Sequence, residues 1–126
     1  MKSGVLFVIG IMFLALSFLG AGPALADKAA VKIEAPAQAA KGAEITIRLT
    51  VTHSANTDRH YVDWVKLWIN NQEVSKWEYA SGKLPEGVPF TREFKIKAGG
   101  DLEIKSEASC NVHGGKGPAS QKIAVK

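Results

Sequence analysis

The chain has 126 residues, of which 46% are hydrophobic and 22% charged, with a formal charge of +4 and one cysteine. One cysteine excludes an internal disulfide. A mild positive surplus without an arginine-rich, aromatic-studded stripe argues against a nucleic-acid-binding protein, and the length suits one small domain with a modest core.

Residues 1–26 read as a secretory leader. Lys2 gives a minimal basic start, residues 5–19 are almost wholly apolar, and Ala24-Leu25-Ala26 offers the small-x-small pattern read by signal peptidase. The apolar run, about 15 residues, is shorter than the ~20 that span a bilayer, so cleavage after Ala26 is expected rather than a retained anchor. The expected mature domain is 27–126, periplasmic or otherwise exported, with no membrane span.

The mature segment is predicted to be all-β. Residues 31–35 suggest an opening strand. In 44–51, Ile45, Ile47, Leu49 and Val51 alternate strictly with polar residues, the pattern of a half-buried strand. Residues 61–69 are aromatic and β-branched, and Asn70-Asn71 is a turn signal leading into a partner strand over 74–80. Phe90, Phe94 and Ile96 mark another strand, closed by Gly99-Gly100. Leu102, Ile104, Ser106, Ala108 and Cys110 share one face of the next, and Ile123 and Val125 suggest a closing strand. About seven short strands with turn signals between them predict a β-sandwich.

The chemistry lies in two short clusters. His53 and His60 flank one loop, and Cys110 and His113 flank another; together they are the only cysteine and all three histidines of the chain. A thiolate with imidazoles is a transition-metal ligand set, and all four residues fall at strand ends or in loops, which a sandwich can gather at one end. An exported lone cysteine is explained if a metal holds it. Zinc, iron and copper all accept these donors. Both methionines lie in the leader, which disfavours a blue-copper site, and structural zinc usually has more thiolates. Gly114-Gly115-Lys116-Gly117 lacks the strand-to-helix setting of a phosphate loop.

His53, His60-Tyr61-Val62-Asp63-Trp64-Val65 and Cys110-Asn111-Val112-His113-Gly114 together resemble the iron domain of superoxide reductases of the desulfoferrodoxin and neelaredoxin type. Ile33-Glu34-Ala35-Pro36 is similar to the opening strand of that family. The resemblance implies an immunoglobulin-like β-sandwich and a mononuclear non-haem iron, with Cys110 as axial thiolate and His53, His60 and His113 as imidazole ligands. It also implies reduction of superoxide to hydrogen peroxide, with Lys28 drawing in the anion and an external protein donating electrons. Association into a homo-oligomer is a further expectation for this chain.

Three departures stand out. Ala29 occupies the place where the family carries a fourth histidine; Asp27, its α-amino group after cleavage, or water would have to replace that ligand. His53 and His60 stand one residue further apart than usual, with Ser54 in place of a proline. Gly115-Lys116 replaces apolar residues after His113. The alternative expectation is therefore a non-catalytic metal-binding or carrier module in periplasmic redox or sulfur metabolism.

Overall fold

The computed structural model describes residues 28–126; the predicted leader and Asp27 lie outside them. The described chain forms eight strands: β1 (Ala30–Glu34), β2 (Gln38–Ala39), β3 (Glu44–Thr52), β4 (Val62–Ile69), β5 (Gln72–Glu78), β6 (Phe90–Lys97), β7 (Leu102–Cys110) and β8 (Ala119–Val125). They make a three-stranded sheet, β1-β3-β6, and a five-stranded sheet, β2-β8-β7-β4-β5. This is the expected all-β sandwich of immunoglobulin-like form. β2 is the strand that periodicity did not predict. It has two residues and pairs in parallel with the end of β8 through Gln38 and Ala39, too few for alternation to show.

Alternation decides what is buried. Ile45, Ile47, Leu49 and Val51 of β3 face Val65, Leu67 and Ile69 of β4 and Ile104, Ala108 and Cys110 of β7 across the core, all at most 5% exposed. Burying an aliphatic side chain of this size contributes about 1.5–3 kcal/mol. Ser106 is the one buried polar residue among the described residues, and its hydroxyl donates to the Lys66 carbonyl at 2.8 Å, so it carries no desolvation penalty left unmet. Asn70 and Asn71 hold φ of 51° and 66°, the left-handed pair that a two-residue hairpin requires between β4 and β5.

Antiparallel register then assembles one end of the sandwich. Val62 at the start of β4 pairs with Cys110 at the end of β7. Ala30 at the start of β1 pairs with Thr52 at the end of β3. Four strand ends thus meet, and a parallel bridge between Ala29 and Gly115 ties the two sheets together there. The bridge is close. A side chain at Gly115 would bring its Cβ to 2.1 Å from the Ala108 carbonyl oxygen, so only glycine fits.

Candidate metal centre

Each ligand candidate leaves a strand at this shared end. His53 follows β3, and its Nδ1 lies 2.7 Å from the Ala55 carbonyl. A carbonyl can only accept, so Nδ1 carries the proton and the basic lone pair of the ring is on Nε2. His60 precedes β4 in a tight turn in which Thr57 N–H donates to the His60 carbonyl at 2.9 Å and His60 N–H reaches the Thr57 hydroxyl at 3.1 Å.

Cys110 ends β7 and opens a short loop. Its N–H donates to the Gly114 carbonyl at 2.9 Å, and Gly114 N–H returns to the Cys110 carbonyl at 3.0 Å, with Gly114 at φ 71° closing the turn. Inside that loop the sulfur accepts N–H groups from Val112 and His113, each at 3.4 Å. Two amide dipoles therefore direct partial positive charge at the sulfur. Cys110 is otherwise buried, whereas His53 and His60 are half-buried and His113 is exposed.

The donors converge. Ligand atoms of His53, His60 and Cys110 all lie within 4.8 Å of one another. The rings of His53 and His60 meet edge-on with centroids 4.6 Å apart. His113 stands outside that triad and joins it through His60: His113 Nδ1 is 3.2 Å from His60 Nε2. Two nitrogens each about 2.1 Å from one ion stand roughly 3 Å apart, so this pair has the spacing of a shared ligand set. One sulfur and three imidazoles suit a single borderline or redox-active ion better than a hard one. All four sequence-selected residues are thus gathered at one end of the sandwich, and they fit a mononuclear metal.

Lys28 is exposed and lies one residue before Ala29. Ala29 is fully buried, with its N–H on the Gly114 carbonyl at 3.3 Å and its carbonyl accepting Lys116 N–H at 3.0 Å. Position 29 is therefore strapped to the Cys110–His113 loop, and it offers a methyl group instead of a donor.

Sequence reasoning missed the residues that hold the ligand loops in place. Asn56 Nδ2 donates to the Pro85 carbonyl at 3.0 Å, and Asp58 Oδ1 accepts Gly82 N–H at 3.1 Å, so the loop after β5 clamps the loop that carries His53 and His60. Arg92 in turn grips that clamp through Glu86, with contacts of 2.7 and 2.8 Å. The density of Asn and Asp between His53 and His60 was the available signal, since such residues favour loop-ordering side-chain bonds.

The sequence model of the desulfoferrodoxin family matches residues 24–115. The chain belongs to the desulfoferrodoxin family. Its backbone is similar to the superoxide reductase (neelaredoxin) of Ignicoccus hospitalis, at 23% identity and TM-score 0.68, over 83% of this chain and 89% of that one. It is also similar to a candidate superoxide reductase of Thermotoga maritima, at 27% identity and TM-score 0.61, over 76% and 85% of the two chains. The sulfur carrier protein SoxY from Chlorobium limicola f thiosulfatophilum shares the fold at 17% identity and TM-score 0.56, over 77% and 79%. Among curated proteins none matches. Within the desulfoferrodoxin frame, the two ligand loops described above both fall inside the matched segment.

Proposed function

We propose that this desulfoferrodoxin-family chain is an exported superoxide reductase, with residues 27–126 as the mature domain. The observation that carries the reading is the convergence of His53, His60 and Cys110, with His113 attached through His60. These four residues would hold a mononuclear non-haem iron, Cys110 as thiolate and the histidines as neutral imidazoles. Iron held by these residues would supply the one electron that, with two protons, converts superoxide to hydrogen peroxide, and an external electron-donor protein would restore the ferrous state.

The remaining work falls to the chain itself. The amide groups of Val112 and His113 hold the Cys110 sulfur in place and complement its charge. Nδ1 of His53, fixed on the Ala55 carbonyl, sets which ring nitrogen faces a metal. Arg59, exposed beside His60, and Lys28, exposed beside the Ala29 that is strapped to the Cys110–His113 loop, would draw a small anion toward this end of the sandwich. Exposure of His113 leaves the site open to solvent for proton delivery.

Rapid mixing of iron-loaded, reduced protein with superoxide tests the reading. The expected result is one hydrogen peroxide per superoxide, no evolved dioxygen, and a visible thiolate-to-iron absorption that develops as the protein is oxidised. Dioxygen release, or superoxide loss no faster than in buffer, would overturn it.

A second reading is favoured by the buried methyl of Ala29, which stands where the family resemblance expects a fourth imidazole. Under it the same residues hold a metal in a non-catalytic or carrier module. A colourless, zinc-loaded protein isolated from its own compartment would support that reading over the enzyme.

A further inference from the structure

Asn111 follows Cys110 directly, and its side chain spans to the other ligand loop. Its Oδ1 accepts Tyr61 N–H at 2.9 Å, and its Nδ2 donates to the Arg59 carbonyl at 3.1 Å. A backbone N–H can only donate and a carbonyl can only accept, so these partners fix the orientation of the amide. Its own N–H donates to the Tyr61 carbonyl at 3.0 Å. The two side-chain bonds land on the residues on either side of His60. One side chain therefore brackets a ligand candidate from both flanks, across 50 and 52 residues of chain.

The ring of His53 is fixed by a carbonyl of its own loop, and the loop of Cys110 and His113 closes on itself through the Cys110 and Gly114 backbone. The distance between the His60 loop and the sulfur, by contrast, is set by groups on two separate strands' ends. Asn111 Oδ1 also lies 3.9 Å from the Cys110 sulfur, so the same amide abuts the sulfur and the backbone on both sides of His60.

We infer that Asn111 is the positioning residue of the centre, acting through His60 to hold its imidazole at bonding distance from whatever ion Cys110 binds. The inference rests on the ligand assignment above but not on the superoxide reaction. Asn111→Ala removes both bonds. Asn111→Asp keeps an acceptor for Tyr61 N–H and sets a second oxygen against the Arg59 carbonyl.

The test is binding of Co(II) alone to the whole chain, read by its thiolate charge-transfer and ligand-field bands. Asn111→Ala is expected to weaken Co(II) binding about 10–100-fold, the usual cost of losing a group that orients a metal ligand. Its ligand-field bands should shift, because a displaced imidazole changes the geometry around the ion. Asn111→Asp should fall between it and the wild type. In a His60→Ala background, Asn111→Ala should cost less than about threefold, because the ligand it serves is gone.

Unchanged affinity and bands in Asn111→Ala overturn the inference. So does an equal loss with and without His60, which would mean a general structural role. Should Asn111→Ala fail to fold, Asn111→Asp decides alone, with and without His60, and wild-type affinity there overturns the inference. A wild-type chain that binds no Co(II) overturns it together with the ligand assignment. A cycle that behaves as expected in a protein that leaves superoxide untouched would sink the proposed reaction and leave the positioning role standing.

Discussion

His113 Nδ1 stands 3.2 Å from His60 Nε2, although 53 residues of chain separate them. Neither residue's local sequence demands this. It follows from the register that sets the start of β4 beside the end of β7, and from the loop closure that turns His113 back over Cys110. Two imidazole nitrogens at that distance either share a proton or share an ion. Zinc or cobalt should therefore raise the melting temperature of the wild type and do so far less for His113→Ala, measured by calorimetry with and without metal.

Replacing Cys110 by serine removes the sulfur that two amide groups address. The visible thiolate-to-metal absorption should vanish in both the Co(II) and the ferric protein, while the sandwich still folds, since serine is nearly isosteric. An unchanged spectrum would show that Cys110 is not a ligand.

Gly115→Ala should be among the most damaging single substitutions in the loop. The new Cβ would meet the Ala108 carbonyl, a backbone group of β7 that cannot swing aside. Overpacking of this kind costs about 1–3 kcal/mol, or more where backbone must move. Urea unfolding should report that loss. Co(II) affinity should fall with it, because the same shift displaces the strap that joins Ala29 to the ligand loop.

Ala29→His tests whether the missing imidazole can be restored. The site is fully buried, so the metal-free variant should lose about 1–3 kcal/mol through overpacking. If the new ring reaches the ion, the metal-induced gain in melting temperature should exceed that of the wild type. An equal or smaller gain would show that position 29 no longer faces the centre.

The clamp on the His53–His60 loop has its own pH signature. The Arg92 guanidinium, hydrogen-bonded to Glu86, holds that carboxyl at about 2 instead of the ordinary 4.5. A carboxyl depressed on folding stabilises the protein above its unfolded value and loses that contribution as pH falls through its folded one. Glu86→Gln should therefore be less stable than the wild type at neutral pH, and the two should converge as pH drops from about 4.5 to 2. The Glu86 side chain is 63% exposed, so the gap should stay within about 1 kcal/mol because solvent screens the pair.

Much of this molecule was legible in its sequence. The strict alternation in β3 and β7 places Ile47, Leu49, Ile104 and Cys110 inside, and Asn70-Asn71 marks the hairpin, because both depend on local patterns that a linear reading can see. The four ligand candidates were legible because the chain has no other histidine or cysteine to confuse them. β2 was not, since two residues carry no period. β5 begins at Gln72, two residues before the expected Val74, because polar residues on an exposed edge strand hide its start. The roles of Asn111, Asn56 and Gly115 were hidden for a different reason. Each depends on a partner found only once distant strand ends have met, at Arg59 and Tyr61, at Pro85, and at Ala108.

The strap between Ala29 and Gly115 has a consequence for the order of events in the life of the molecule. It joins the chain just before β1 to the last loop before β8, and it braces the loop of Cys110 and His113, whose partners His53 and His60 come from much earlier in the chain. A growing or truncated polypeptide that stops short of β7 has two imidazoles and no sulfur. Capture of one ion by all four candidates thus requires that the start of β4 and the end of β7 have already met, a contact between distant parts of the chain that forms late.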